Sequence, residues 1–120
     1  MDERRKLGNK GEDLAARFLK KIGYKILAQQ HRTKFGEIDL VARDGREIVF
    51  VEVKTRQTLE FGHPEEAVHP IKLAHMSAAG ECYLQEKRWE SRAHRYDVIA
   101  ITWPEGQDPE IVHLKAVGHR

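Results

Sequence analysis

The 120-residue sequence predicts one α/β domain, a sandwich with a mixed sheet of about five strands in the order α-β-β-β-α-β-β. Three observations lead there. Apolar residues at helical spacing open the chain, a hairpin of two alternating runs follows, and a second helical stretch precedes another apolar run. A strand, a helix and a strand in succession imply one right-handed parallel crossover onto the sheet. The length leaves room for a single core, so residues 1–120 are read as one domain.

Between Asn9 and Ile22, the residues Leu14, Ala15, Phe18, Leu19 and Ile22 recur at helical spacing, and Gly23 ends the run. Tyr24–Arg32 (YKILAQQHR) reads as a strand. Glu37–Arg43 and Glu47–Thr55 flank Asp44-Gly45, a dipeptide that closes hairpins. The stretch TRQTLEFGHPEEAVH is rich in turn and polar residues and reads as a loop. Pro70 suits the first position of a helix reaching about Gln85, with Ile71, Ala74, Ala78, Cys82 and Leu84 or Gln85 as a narrow inner stripe. Arg95–Trp103 (RYDVIAITW) is a strand, Pro104 and EGQDP supply a turn, and Glu110–Val117 alternates as a last strand.

Composition excludes several classes. The opening MDERRKLGNKGED lacks the apolar stretch of a signal peptide, and no run approaches the roughly 20 residues of a membrane span. A cytoplasmic protein is expected. Cys82 is the one cysteine, which excludes a disulfide framework and a thiolate metal site, and the histidines show no metal-ligand spacing. Charge is uneven: residues 1–34 hold ten Lys/Arg against four acids, the remainder eleven against fifteen. That asymmetry fits an anionic partner, nucleic acid first, and equally a solvated helix face.

The hairpin GEIDLVARDGREIVFVEVKTR places Glu37, Asp39, Glu52 and Lys54 inside its two best strands. With Asp44-Gly45 as a two-residue turn, Arg43 pairs with Arg46, Glu37 faces Glu52, and Asp39 faces Phe50. Asp39 and Glu52 then become diagonal neighbours, roughly 7–8 Å apart, with Lys54 on the same face. Ile48 and Phe50 share that face, while Ile38, Leu40, Val49, Val51 and Val53 form the other. Clustered carboxylates repel, and a hard divalent cation relieves that repulsion with one or two carboxylates, a carbonyl and water. A solvent-facing strand with a Glu52/Lys54 surface pair fits the same spacing. Glu12, at the edge of the first helix's apolar stripe and after Gly8 and Gly11, is either a favourable first-turn acid or a third carboxylate aimed at this site.

Glu12, then Asp39, then Glu52-Val53-Lys54 resembles the PD-(D/E)xK signature of nucleases with the restriction-endonuclease-like fold. Ile38 stands where that signature has proline. GNKGEDLAARFL, GEIDLVARD, FVEVKTR, a following FG and RYDVIAI together resemble the YraN-like family of small bacterial proteins over nearly the whole chain. That family is similar in turn to archaeal Holliday-junction resolvases, homodimeric metal-dependent endonucleases. The resemblance implies a restriction-endonuclease-like sandwich and an enzyme, a Mg²⁺-dependent phosphodiesterase for which Mn²⁺ substitutes. It implies that Asp39, Glu52 and the Val53 carbonyl hold the metal, that Lys54 is the catalytic lysine, and that Glu12 completes the site. Glu37 and Asp97 match family positions without an assigned role.

The expected function is therefore endonucleolytic cleavage of DNA, branched or Holliday-junction-like forms included, in repair or recombination. Arg32, Lys34 and Arg56 would grip phosphates beside the site. Phe61 and Gly62, in the loop after the catalytic strand, would wedge or close over the substrate, or the loop is only a connection. The alternative is a nucleic-acid-binding module without catalysis, its carboxylates a remnant.

Overall fold

The first helix starts earlier than its apolar stripe. The structure, a computed structural model, describes residues 2–58 and 69–118, with Ile71 described in its backbone alone. Helix α1 spans Glu3–Lys21. The Asp2 carboxylate accepts from the Arg4 N–H at 2.9 Å, and Glu3 in the first turn complements the helix dipole. Its first turns contain no fully buried side chain, so a cap and charge sustain them where the sequence offers no apolar pattern. The far end is as predicted. Gly23, at φ 100°, lets its own N–H reach the Lys20 carbonyl and the Tyr24 N–H reach that of Leu19.

After α1 come β1 (Lys25–Thr33), β2 (Gly36–Asp44), β3 (Glu47–Arg56), α2 (Pro70–Lys87), β4 (His94–Thr102) and β5 (Glu110–Leu114). The strands lie side by side in chain order, antiparallel except for the parallel β3–β4 pair. Element order and the mixed five-stranded sheet both match the expectation. No helix among the described residues is long and apolar enough to cross a membrane.

The helices pack on opposite faces. On one, Ala15, Ala16 and Leu19 of α1 meet Leu40, Val49, Val51 and Ile99. On the other, Ala79, Tyr83 and Leu84 of α2 meet Ile38, Val41, Ile48 and Phe50. Strand β3 is covered on both sides, which explains why it carries a continuous run, IVFV. Each large side chain buried there contributes roughly 1.5–3 kcal/mol. The stripe expected on α2 is displaced. Ala74 is exposed, Ala78 and Cys82 are half-buried, and Ala79, Gly80, Tyr83 and Leu84 are buried. The Ile71 side chain, the Phe61 and Gly62 pair and most of the loop around them lie outside the described residues. The expected stripe followed the smallest residues. Burying the Tyr83 ring, edge-on to Phe50 at 5.8 Å and to His31 at 5.0 Å, outweighs that preference.

The hairpin turn is also displaced. Asp44 pairs with Glu47, so the turn residues are Gly45 and Arg46 rather than Asp44 and Gly45. Gly45 takes φ 61°, the positive value that a two-residue hairpin turn with glycine first requires. Arg43 consequently pairs with Ile48 rather than Arg46, and Glu37 pairs with Arg32 on β1 rather than with Glu52. The reason is a tertiary contact. Arg95 Nη1 donates to Asp44 Oδ2 at 3.1 Å and to Glu47 Oε1 at 2.6 Å, fastening both residues that flank the turn.

Arg95 belongs to a larger polar cluster. Its Nε donates to Asp97 Oδ1 at 3.0 Å and its Nη2 to the Tyr24 hydroxyl at 2.6 Å. Asp97 is fully buried and also engages His113 Nε2 at 2.7 Å and the Ala116 N–H at 2.9 Å. Burial alone would raise its pKa, but His113, Arg95 and the Ala116 N–H outweigh burial and hold it below the ordinary aspartate value. A lowered folded pKa means stability that is present above the unfolded value and lost as pH falls through the folded one. Asp97→Ala, which strands Arg95 without its buried partner, is expected to lose roughly 3–5 kcal/mol at pH 7. Urea unfolding checks this, and the gap between parent and variant should narrow in acid.

Candidate functional site

The β2–β3 ladder is regular from the turn to the Leu40–Val51 pair and is replaced beyond it by a side-chain contact. One residue past that pair on each strand stand Asp39 and Glu52. Asp39 Oδ2 accepts the Val53 N–H at 2.8 Å, so a carboxylate takes the place of a backbone carbonyl. The strand changes face there. Ile38 packs on the α2 side with Ile48 and Phe50, whereas Leu40 packs on the α1 side, so the expectation that Ile38 and Leu40 share a face fails. The register differs from the expected one by two residues, and an even shift preserves parity. Parity does not carry past Leu40, where the strand changes face, and what keeps Asp39 beside Glu52 is its bond to the Val53 N–H, with the Glu52 charge felt at Asp39.

Glu12 reaches the same place from α1. Gly11 before it is buried against β3, and a Cβ on Gly11 would overlap Thr55 Oγ1, so only glycine admits this approach. Glu12 Oε1 is buried and has no hydrogen-bond partner among the described residues. Burial first, then the charges of Glu37, Asp13 and Glu52, raise the Glu12 pKa, while the Gln30 side chain lowers it in part. Asp39 is pushed up to about 7, by burial first and then by Glu52, with Glu12 adding to the rise and the Val53 N–H and Lys72 opposing it. These residues feel one another's charge, and the cluster carries more negative charge than the groups around it neutralise.

The cation that engages Glu52 is Lys72, at 2.6 Å from Oε1. Lys72 stands in the first turn of α2, and no spacing in the sequence marks it, because a helix and a strand meet there only in the folded chain. Lys54 lies two residues past Glu52, exposed, with no ion pair among the described residues. Arg32 is exposed and lies 3.8 Å from Glu37, while Lys34 sits over the Phe35 ring, 5.2 Å from its centroid. Arg56 ends β3, and its carbonyl accepts the Trp103 N–H at 2.7 Å.

No three Asp, Glu, His or Cys side chains among the described residues are grouped closely enough to hold a metal by themselves. Mg²⁺ does not need three, since it usually keeps several waters and uses one or two carboxylates together with substrate phosphate. Asp39, Glu52 and the unpartnered Glu12 oxygen fit that requirement.

Fold and site together describe an α/β domain whose sheet carries an acidic cluster where its central hairpin opens. The chain belongs to the Uncharacterised protein family UPF0102, which it matches over residues 11–101, a span that takes in Glu12, Asp39, Glu52, Lys54, Lys72 and Asp97. It is similar to a UPF0102 protein of Geotalea daltonii, 46% identical over 95% of this chain and 90% of the relative. A UPF0102 protein of Geobacter metallireducens is 47% identical over 90% of this chain and 88% of its own length. One from Caldicellulosiruptor saccharolyticus is 45% identical, covering 82% of this chain and 83% of the relative.

The raised Asp39 pKa has a thermodynamic consequence. Folded Asp39 keeps its proton up to about pH 7, whereas the unfolded chain loses it near the ordinary value of 3.8. The folded state then binds more protons between those values, so stability falls as pH rises through that window. With chelator at pH 8, Asp39→Asn is expected to be more stable than the parent by on the order of 2 kcal/mol, shrinking toward pH 4. Urea midpoints at the two pH values measure it.

Proposed function

We propose that the protein is a metal-dependent endonuclease of the restriction-endonuclease-like, PD-(D/E)xK type, acting on DNA. The observation that carries this reading is that Asp39 and Glu52 stand together with Glu12 within electrostatic reach from a third element, its buried oxygen without a partner among the described residues. A fold gains nothing from gathering like charges in a half-buried place, and a cation-binding role explains why they stand there.

In this reading Asp39, Glu52 and the Val53 carbonyl would hold Mg²⁺ or Mn²⁺, and Glu12 would complete the site from α1. When bound, the ion supplies Lewis acidity toward phosphate and water. Lys54, exposed on the strand that carries Glu52, places its ammonium against the phosphate oxygens as negative charge grows on them. Lys72, paired with Glu52 in the structure, would release that carboxylate to the ion and meet the phosphate instead. Arg32, Lys34 and Arg56 contact neighbouring phosphates. Such contacts position the substrate without reading its sequence.

The Lys72–Glu52 ion pair favours a second reading. A carboxylate already neutralised by an ammonium suits a nucleic-acid-binding module that cuts nothing. Calorimetric titration with Mg²⁺ and Mn²⁺ separates the two, because a working site binds the ion through Asp39 and Glu52 and a remnant does not. The direct test is cleavage of duplex, flapped, junction and single-stranded DNA with Mg²⁺, Mn²⁺ and chelator. Cleavage should require the ion, and Asp39→Asn and Lys54→Ala should each lower its rate by roughly 100-fold or more while leaving urea unfolding cooperative. An Asp39→Asn protein that cuts as fast as the parent would sink the proposed site.

A further inference from the structure

On the α2 face, a groove of about 200 Å³ opens beside the carboxylate cluster, lined by Phe35, Ile38, Phe50, Glu52, Lys72 and Met76 among others. Its volume is below the roughly 300–1,000 Å³ of pockets for drug-sized ligands, so it suits one ring system. Phe35 forms its rim and is 49% exposed. The β1–β2 turn does not depend on that ring. Thr33 Oγ1 donates to the Gly36 carbonyl at 2.8 Å and accepts the Phe35 N–H at 3.1 Å, closing the turn through backbone and Thr33 alone.

An exposed phenylalanine that the turn does not use, a floor of Ile38, Phe50 and Ala79, and Lys72 among the lining residues together point to an occupant, with Glu37 and Glu52 lining the same groove. Lys34 lies over the Phe35 ring, Lys72 lines the groove in an ion pair with Glu52, and Arg32 lies outside the lining, 3.8 Å from the lining residue Glu37. A flat aromatic ring attached to an anion fits all three, and a nucleotide is such a group. Aromatic side chains stack any base, whereas a base inside an intact duplex is already stacked and paired. Glu52 belongs to both the groove and the carboxylate cluster, so a nucleotide whose phosphate lies at the cluster has its base within reach of the groove.

We infer that this groove receives an unpaired nucleobase next to the phosphate handled at Asp39 and Glu52, with Phe35 as the stacking face. The preferred DNA then carries an unpaired nucleotide at that position, as at a flap, bulge or junction, rather than a continuous duplex. The inference rests on the nuclease reading for the fate of the phosphate, but base capture itself needs no cleavage.

The test is fluorescence anisotropy with Ca²⁺ in place of Mg²⁺, comparing a duplex with one bulged 2-aminopurine against the fully paired duplex of equal length. The parent should bind the bulged duplex about tenfold or more tightly than the paired one. Phe35→Ala, and Met76→Trp, which fills the groove, should each bring that affinity down to the paired level and leave paired binding unchanged. The 2-aminopurine emission should respond to the parent and not to the variants. Equal affinity of the parent for both duplexes overturns the inference, as does an equal loss for both in Phe35→Ala or no effect of Met76→Trp. Base-dependent binding without cleavage in Mg²⁺ would support the groove and remove the nuclease reading. Cleavage with no preference for the unpaired base would do the reverse.

Discussion

Arg95 is the side chain on which the geometry of this protein turns. It is largely buried on β4 and bonds at once to Asp97 of its own strand, to Tyr24 after the first helix, and to Asp44 and Glu47 at the hairpin turn. A buried guanidinium is tolerable only where its donors are met, and here carboxylates and a hydroxyl meet them. The outcome is a set register between β2 and β3. Since side chains alternate along a strand, register decides which residues stand beside Glu52, some distance along the hairpin from Arg95 itself. Asp97, matched to the family pattern but without an assigned role, thus acts through the frame rather than the chemistry.

The carboxylate cluster is the opposite kind of polar group. Around Asp97 acid and base are matched, and the aspartate is held below its ordinary pKa. Around Asp39 acids outnumber their partners, and the aspartate is pushed up to about 7. One buried aspartate and one half-buried aspartate are therefore displaced in opposite directions. That contrast separates matched from unmatched charge among the described residues. Lys72 meets part of the imbalance at Glu52.

The two-layered cover of the sheet gives the site its surroundings. With α1 on one face and α2 on the other, β3 is apolar on both sides until Glu52, where the ladder to β2 gives way to the Asp39 contact. The charged residues thus occupy the point where the hydrophobic sheet ends, partly dry and open on one side to the Phe35 groove. Such a location strengthens electrostatic interactions.

The sequence by itself determined the element order and the mixed five-stranded sheet, and it placed Ile48 and Phe50 on the face opposite Val49 and Val51, as the two core clusters have them. Those features follow from periodicity, which is local. It also singled out Glu12 beside Gly8 and Gly11, which the structure places well inside α1 rather than in its first turn, with Gly11 alone packed closely on Thr55. What the tertiary structure alone decided was which residues close the hairpin, which face of α2 turns inward, and which lysine meets Glu52. Each is settled by a contact between residues far apart in the chain: Arg95 with the turn, Tyr83 with Phe50 and His31, Lys72 with Glu52. Local pattern carries no record of such meetings, because their energy exists only once the sheet and helices have come together.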